Sequence, residues 1–420
     1  MSNANIYIKQ MSEKDGVLTF SISGVNVCFV NALRRAIMAN LPVVVFKTAP
    51  YEENKCTILK NTISGINNEY IKHRLSGIPI HITDIEHTPL QNYILEVNVE
   101  NHTDTVMYVT TRDFKIKNVI TDKYLSEIDT RNIFPPNSIT GDFILFLKLR
   151  PQLAETIPGE AIHLTCEFSR EMSGTDGMYV QACTCAYGNT PDLQRGDAEL
   201  AKQVQKWRDD GSATNKEQMD LLTANWRLLD GRRIYVQNSF DFILESIGVY
   251  TNRELCLMAC DYLSSKLAEV GKNIESGDMR IEPTKTTIPH SFDIFLDHDE
   301  DYTIGCILEH LLYASYVESQ HVADFVGLKK FHPHDKFIVL RVGYAEPQEP
   351  TTALQHLAEC AIRGAAIVEQ IRGQLRGGRS AAVPQQDEEG PIKLKNDIAE
   401  APQPAKKPRA EKRKAIQIPV

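Results

Sequence analysis

The clearest hydrophobic pattern lies near the start of the chain. Phe29, Leu33 and Ile37 recur every four residues, which is the spacing of one face of an α-helix. Pro42 then ends the helix, and the β-branched run at 43–46 favours a strand. The pattern therefore predicts an amphipathic helix that leads directly into a strand.

Helical and alternating patterns divide the rest of the chain into predicted elements. Apolar stripes at helical spacing and polar helical stretches predict helices over residues 26–40, 67–75, 192–209, 215–229, 252–270, 303–313 and 351–376. Alternation and β-branched runs predict strands within residues 5–23, 43–47, 93–99, 105–111, 143–149, 161–168, 178–187, 232–245, 292–296, 323–328 and 337–344. Together these patterns predict an α+β fold, in which Thr303 is the N-cap of its helix.

Changes in composition divide the chain into five predicted segments. Residues 1–50 and 166–275 form one mixed unit that is interrupted by a β-rich insertion with one helix at 51–165. A second mixed unit spans residues 276–378. Residues 379–420 are rich in Pro, Ala, Gln and charged side chains with almost no aromatic residues, which predicts a disordered tail.

The two mixed units resemble each other. A shift of 274 positions places Phe20 on Ile294, Ile22 on Leu296, Leu33 on Ile307 and Ile37 on Leu311. Repeated units usually bury their apolar faces against each other, and two copies are too few for a solenoid. The repeat therefore predicts an intramolecular pseudo-dimer, although the low identity between the copies leaves chance similarity as an alternative.

Composition and charge narrow the class of protein. The chain has 420 residues, 42% hydrophobic content and a formal net charge of −9, so we do not expect it to bind nucleic acid over its whole surface. No apolar stretch of membrane-spanning length occurs, and the first residues lack the pattern of a secretory signal. The nine cysteines are mostly scattered singly, which is typical of reduced thiols in an intracellular protein.

Motifs for catalysis are missing from the sequence. It contains no Gly-rich phosphate loop, no nucleophile elbow, no His-Glu-x-x-His and no run of closely spaced aspartates of the kind that holds magnesium in polymerases. We therefore expect no catalytic residues, no cofactor and no enzymatic activity of the isolated chain.

Three groups of potential metal ligands have a simpler interpretation. The acidic turn at 297–301 lacks the Gly turn and distal Glu of a calcium loop, so its carboxylates favour turn and capping chemistry. Cys183 and Cys185 lie on one strand face without two further zinc ligands nearby. His332 and His334 flank a proline, which favours a turn, and metal binding stays an alternative there.

Arg34 and Arg35 stand together in the apolar helix, and two adjacent arginines cannot both face a core. At least one must lie at the surface or be held by a partner. The simpler alternative is a solvated helix face with an internal salt bridge.

Several motifs, in order, resemble the α-type subunits of DNA-directed RNA polymerase. Residues 31–38 (Asn-Ala-Leu-Arg-Arg-Ala-Ile-Met), followed by Leu-Pro and a Val-rich strand, resemble the family's assembly-helix motif. Residues 69–80 are similar to the motif that follows it in the third-largest subunit of eukaryotic RNA polymerase II and its archaeal counterpart, and residues 239–248 to its second assembly segment. Residues 299–308 resemble the motif of the small eleventh subunit, and residues 326–333 continue that likeness.

This resemblance spans roughly residues 5–376 and implies a single-chain fusion of the two α-like subunits, as in some large DNA viruses. It implies a non-catalytic assembly platform that binds the two largest polymerase subunits and other small subunits. DNA contact would be indirect, through the complex, and neither membrane binding nor a homo-oligomer is expected. The chain would act in a host nucleus or a cytoplasmic virus factory, with packaging in the virion as a further alternative if the source is viral.

The resemblance also assigns residues to two predicted sets. The subunit-assembly set is Asn31, Leu33, Arg34, Arg35, Glu69, Arg74 and Pro79. The set for intramolecular dimerisation is Phe29, Ile37, Thr303, Gly305, Ile307 and Leu311. Both arginines would then point outward to acidic or carbonyl groups of a large subunit. Glu69 and Arg74 would face a large subunit or brace the insertion, with local stabilisation of their helix as the alternative.

The sequence departs from the family's pattern in two respects. Tyr302 and Cys306 stand where the small subunit usually has His and Asn, and the insertion lacks the cysteine cluster that binds zinc in some relatives, so we expect no zinc. The basic cluster at 406–414 could serve as a nuclear-import signal, a DNA contact or a solubilising tail. The alternative function is therefore a DNA-binding transcription regulator that acts through this tail.

Overall fold

A computed structural model of the chain describes residues 6–152, 154, 158–212, 215–297 and 302–377, and this part is mixed α+β. Its strands are β1 (Tyr7–Lys14), β2 (Val17–Ser23), β3 (Pro42–Val45), β4 (Cys56–Asn61), β5 (Tyr93–Glu100), β6 (Met107–Thr110), β7 (Lys115–Asn118), β8 (Lys123–Tyr124), β9 (Leu145–Leu149), β10 (Ala161–Glu167), β11 (Ser169–Met172), β12 (Ala182–Pro191), β13 (Tyr235–Ser246), β14 (Ile281–Pro283), β15 (Ser291–Asp297), β16 (Ala323–Lys329) and β17 (Phe337–Tyr344). Its α-helices are α1 (Val27–Ala39), α2 (Asn68–Ser76), α3 (Glu127–Ile133), α4 (Leu193–Asp209), α5 (Lys216–Leu228), α6 (Asn252–Glu275), α7 (Tyr302–Leu312) and α8 (Pro350–Gly377).

The first sheet has the strand order β1-β2-β13-β12, with neighbouring strands antiparallel. Phe20 on β2 pairs with Phe242 on β13, and their rings stack with centroids 5.0 Å apart. Because alternate residues of a strand point to opposite faces, Leu18, Phe20 and Ile22 are buried on one face of this sheet. Helices α1 and α6 contact this sheet.

The second sheet repeats the connectivity of the first. Its order is β14-β15-β17-β16. The hairpin of β14 and β15 pairs with the hairpin of β16 and β17 through β15 and β17, as the two hairpins of the first sheet pair through β2 and β13. The 274-residue shift carries β2 onto β15 over its full length, and it carries α1 onto α7 to within a residue at each end. The predicted strand–turn–helix repeat is therefore present in the backbone.

The two sheets and their helices share one core. Helix α1 contacts α6 and α7, and α8 contacts the same two helices. Apolar residues of both sheets and all four helices belong to a single buried cluster. Packing an apolar helix stripe against other helices in this way supplies most of a helix's stability in a folded protein.

A separate β-rich module lies between β3 and β11, within the long connection from α1 to β12. It contains a five-stranded sheet in the order β4-β10-β5-β7-β8 and a two-stranded sheet of β6 and β9, and it has its own buried cluster. The corresponding connection in the second half, after a π-helical turn at Tyr313–Ser319, is only a few residues long. The prediction of one helix in this region was wrong, because the module contains a second helix, α3, after α2. Helix α3 buries only Thr130, so its sequence shows no apolar stripe.

A second extension interrupts the hairpin of β12 and β13. Helices α4 and α5 contact each other, and Leu200 is the buried residue of the pair. Leu193, Leu221 and Leu228 are exposed. None of the helices in the described part of the chain is long and apolar enough to span a membrane.

Candidate functional site

The predicted dimerisation residues meet where α1 and α7 cross. Helix α1 begins after Asn26, whose side chain accepts a hydrogen bond from the Cys28 N–H, and this capping fixes the start of the helix. Phe29, Leu33 and Ile37 are all buried on the face predicted from their spacing. Ile307 and Leu311 of α7 are buried in the same cluster.

Thr303 lies in the crossing, but its predicted role as an N-cap was wrong. Helix α7 already includes Tyr302, so Thr303 is inside its first turn, and its side chain is buried. The hydroxyl Oγ1 of Thr303 accepts a hydrogen bond of 3.0 Å from Arg35 Nε. Residues 298–301 of the predicted acidic turn lie outside the described part of the chain.

The two arginines of α1 are used differently. Arg35 reaches α7 through its bond to Thr303, so the prediction that both arginines point away from the second unit was wrong for Arg35. A guanidinium that bonds across the crossing ties the two units together by polar as well as apolar contacts. Arg34 is half-buried, and its Nε donates to Asn31 Oδ1 at 3.1 Å, one helical turn earlier.

The Cα–Cβ direction of Gly305 points to the sheet of its own unit. A Cβ atom at this position would lie 2.8 Å from Leu328 Cδ2 on β16. Such a distance is shorter than any normal contact, so a side chain at position 305 would require the end of the Leu328 side chain to move. Gly305 therefore lies at the contact between helix and sheet within the second unit, and its assignment to the contact between the units stays a prediction.

Gly364 of α8 occupies the junction that sequence reasoning missed. A Cβ atom on Gly364 would lie 3.3 Å from Leu267 Cδ1 of α6, 3.3 Å from Leu311 Cδ1 and 3.4 Å from Ile307 Cγ2 of α7. Three helices therefore converge on a residue without a side chain. A glycine inside a long helix, followed by two alanines, was the available signal, because such a residue costs helix stability unless close packing requires it.

An ion pair also joins α6 and α8. Arg372 Nη2 lies 2.8 Å from Asp261 Oδ1, and Arg372 Nη1 lies 3.2 Å from Glu369 Oε2 in its own helix. Asp261 is about half exposed, so this pair adds little to stability and acts mainly on the register of the two helices.

Burial favours the neutral forms of two titratable groups near the crossing, Cys28 and His310. Burial raises the pKa of the Cys28 thiol to about 12, with smaller contributions from Cys306 and Glu309 of α7. Burial also lowers the pKa of His310, which favours its neutral form near pH 7. Keeping Cys28 and His310 neutral avoids the desolvation cost of ionised groups at these two positions.

The remaining predicted residues lie on the β-rich module, apart from the helix crossing. Glu69 is exposed in the first turn of α2. Arg74 donates from Nε to the Phe146 carbonyl at 2.7 Å and from Nη2 to the Leu145 carbonyl at 2.8 Å. Pro79 is half-buried and follows α2. The structure therefore divides the predicted assembly residues between two parts of the chain.

Metal ligands do not cluster in the described residues, where no group of three or more His, Cys, Asp or Glu side chains could hold an ion. Cys183 is exposed, Cys185 is half-buried, and burial raises the pKa of Cys185 to about 12. His332 and His334 stack with ring centroids 5.1 Å apart in the turn before β17.

Known proteins match the sequence of this chain over part of its length. Residues 19–267 match the family described as the RNA polymerase Rpb3/Rpb11 dimerisation domain. The DNA-directed RNA polymerases I and III subunit rpac1 of Dictyostelium discoideum is 23% identical over 283 residues, which is 60% of this chain and 76% of that protein. The DNA-directed RNA polymerase subunit Rpo3 of Pyrococcus horikoshii is 27% identical over 107 residues, which is 24% of this chain and 38% of that protein. Because the family match covers more than half of the sequence, the chain belongs to the RNA polymerase Rpb3/Rpb11 dimerisation domain family.

Proposed function

We propose that the chain is the non-catalytic assembly platform of a DNA-directed RNA polymerase, which holds the two largest subunits in register. The observation that carries this proposal is the crossing of α1 and α7, where an assembly-type helix of each unit buries its apolar face in one shared core. In this role the chain needs no catalytic residue and no cofactor of its own. Transcription by the assembled complex would place it wherever that polymerase works, in a nucleus or a cytoplasmic virus factory.

The two halves act as an intramolecular pseudo-dimer in this proposal. Residues 1–50 and 166–275 would form the unit like the third-largest subunit, and 51–165 its inserted domain. Residues 276–378 would form the unit like the small eleventh subunit, and 379–420 a tail. The equal connectivity of the two sheets and the shared four-helix core support this division.

Cutting the chain between its halves tests the pseudo-dimer. We expect that a specific protease site inserted between Gly277 and Asp278, in the exposed link between α6 and β14, leaves the two fragments associated after cleavage. Association should survive about 1 M salt, because apolar burial rather than ion pairing holds the helices and the Debye length is then only about 3 Å. Size-exclusion chromatography of the cleaved protein measures this.

The same cleavage in an Ile307→Asp variant should release the fragments, since a carboxylate would enter the shared core. Ile362→Asp, on the exposed face of α8, is the matched control and should leave them together. Separation of the unmutated fragments at high salt would contradict the pseudo-dimer.

Arg34 is the arginine that we assign to a large subunit. Its bond to Asn31 fixes Nε, so the guanidinium is oriented for carboxylate or carbonyl groups of a partner. Arg35 is less suited to a test of this contact, because it also bonds to Thr303 of the second unit. A substitution of Arg35 would disturb the packing of the two units as well as subunit assembly.

Charge reversal at Arg34 alone should therefore block assembly without unfolding the chain. We expect Arg34→Glu to lower recovery of the two large subunits in a co-expression pull-down by about tenfold or more, as the loss of a charge-assisted bidentate contact at an interface implies. Arg195→Glu, in the exposed first turn of α4, controls for added negative charge. A folded Arg34→Glu protein that recovers both subunits at the unmutated level would remove Arg34 from the interface.

For the module, the bonds from Arg74 to two carbonyls of β9 favour a bracing role for that residue. Glu69, which is exposed on the same helix, is then the better candidate for a contact with a large subunit.

The rival function, a DNA-binding regulator, depends on residues 406–414, which lie outside the described part of the chain. A pull-down that recovers DNA without large subunits would support that rival.

A further inference from the structure

Two cysteines of the β-rich module face each other across adjacent strands. Cys56 on β4 and Cys166 on β10 are direct partners in the antiparallel register. Their exposed fractions are 1% and 0%, and both belong to the module's buried cluster. They are 110 positions apart in the sequence, and no other cysteine lies between them.

The backbone geometry at this pair suits a disulfide. The Glu167 N–H donates to the Lys55 carbonyl at 3.2 Å. Lys55 and Glu167, the opposed residues next to the two cysteines, are therefore a hydrogen-bonded pair. Pairs alternate along an antiparallel ladder, so Cys56 and Cys166 occupy a non-hydrogen-bonded position, where Cα atoms lie about 4.5 Å apart. That separation is at the short end of the range of about 4.4–6.8 Å found for disulfides. The Cys166 thiol donates to the Glu167 carbonyl, with Sγ and O 3.5 Å apart.

The position of β4 at the edge of the sheet allows an oxidant to reach the two thiols. Strand β4 lies at the edge of the five-stranded sheet and pairs only with β10 in the described order. An edge strand can open locally without unfolding the whole module, which exposes the otherwise buried thiols. We propose that Cys56 and Cys166 form a reversible disulfide when the protein meets a small-molecule disulfide such as oxidised glutathione.

The chemistry is two thiol–disulfide exchanges. The Cys56 thiolate attacks one sulfur of the small disulfide, whose S–S bond breaks and whose other sulfur leaves as a thiolate that takes up a proton. Cys166, after losing its proton, attacks the Cys56 sulfur of this mixed disulfide and releases the second small thiol. The two protein thiols are thereby oxidised, and the small disulfide is reduced to two thiols.

The order of attack follows from the effect of each thiol on the other. The neighbouring Cys166 side chain lowers the pKa of Cys56, so Cys56 forms a thiolate first. The Cys56 side chain, together with burial, raises the pKa of Cys166. Once formed, the disulfide would fasten edge strand β4 to β10 and close a loop that contains nearly the whole module.

Peptide mapping of the oxidised full-length protein tests the proposal. The protein, carrying Cys183→Ser to remove an exposed thiol, is incubated natively with excess oxidised glutathione, and free thiols are alkylated. We expect a Cys56–Cys166 cross-linked peptide that disappears on reduction with dithiothreitol. In the oxidised protein we also expect amide exchange in β4 to slow by about tenfold or more, because opening of the edge strand is restrained.

Cys56→Ser and Cys166→Ser should each abolish the cross-link and the slowed exchange. Cys256→Ser, a buried cysteine on α6, is the matched control and should keep both effects. Persistence of both thiols in the reduced state after native oxidation, or cross-links between other cysteines only, would overturn the proposal. A cross-link without any change in the exchange of β4 would overturn the fastening of the edge strand.

Discussion

Replacing Ile307 by alanine is expected to lower the free energy of unfolding by roughly 2–5 kcal/mol, the range measured for such deletions in buried cores. Ile307 has an exposed fraction of 0%, and its Cγ2 points at Gly364 in the junction of α6, α7 and α8. Removing the side chain leaves a cavity bounded by three helices, which cannot easily close around it. Urea unfolding followed by circular dichroism measures the change.

Ile362→Ala provides a matched control for this prediction. Ile362 is also helical and loses the same atoms, but it is 70% exposed. We expect its free energy of unfolding to change by less than about 0.5 kcal/mol. Equal effects of the two substitutions would mean that the junction does not hold the two halves together.

The fold could be predicted where local chemistry and periodicity agree. Helix α1 was placed to within a residue at each end, because Asn26 caps its start and Pro42 stands just past its end. The start of α7 was misjudged because threonine is a common cap, whereas tertiary contact with Arg35 uses the Thr303 hydroxyl instead. Helix α3 was missed because its exposed Ile128 and single buried Thr130 give no stripe.

The candidate site was predictable only in part, since its residues come from distant segments. The apolar members of the crossing follow from helical spacing, and the 274-residue shift brings the right pairs of helices together. The direction of Gly305, the role of Gly364 and the bond from Arg74 to β9 depend on which elements pack together, and no local pattern encodes that. Cys56 and Cys166 likewise meet only through strand register.

Two substitutions of glycine by leucine in α8 should have opposite effects. At Gly364 a leucine must displace Leu267, Leu311 and Ile307, whose atoms already lie 3.3–3.4 Å from the Cβ position. We expect a loss of about 3 kcal/mol in the free energy of unfolding, the upper end for overpacked cores. At Gly373 nothing lies within 4 Å, so leucine should raise stability by about 0.7 kcal/mol through its better helix propensity.

Gly364→Ala separates packing from propensity at the junction. Its single methyl group requires its neighbours to move by only a few tenths of an ångström, and the gain in helix propensity of about 1 kcal/mol offsets much of that strain. We therefore expect a free energy of unfolding near that of the unmutated chain, measured by the same urea transition. If Gly364→Leu were as stable as Gly373→Leu, α8 would not lie against α6 and α7 as closely as the structure has it, and the shared helical core would lose its main support.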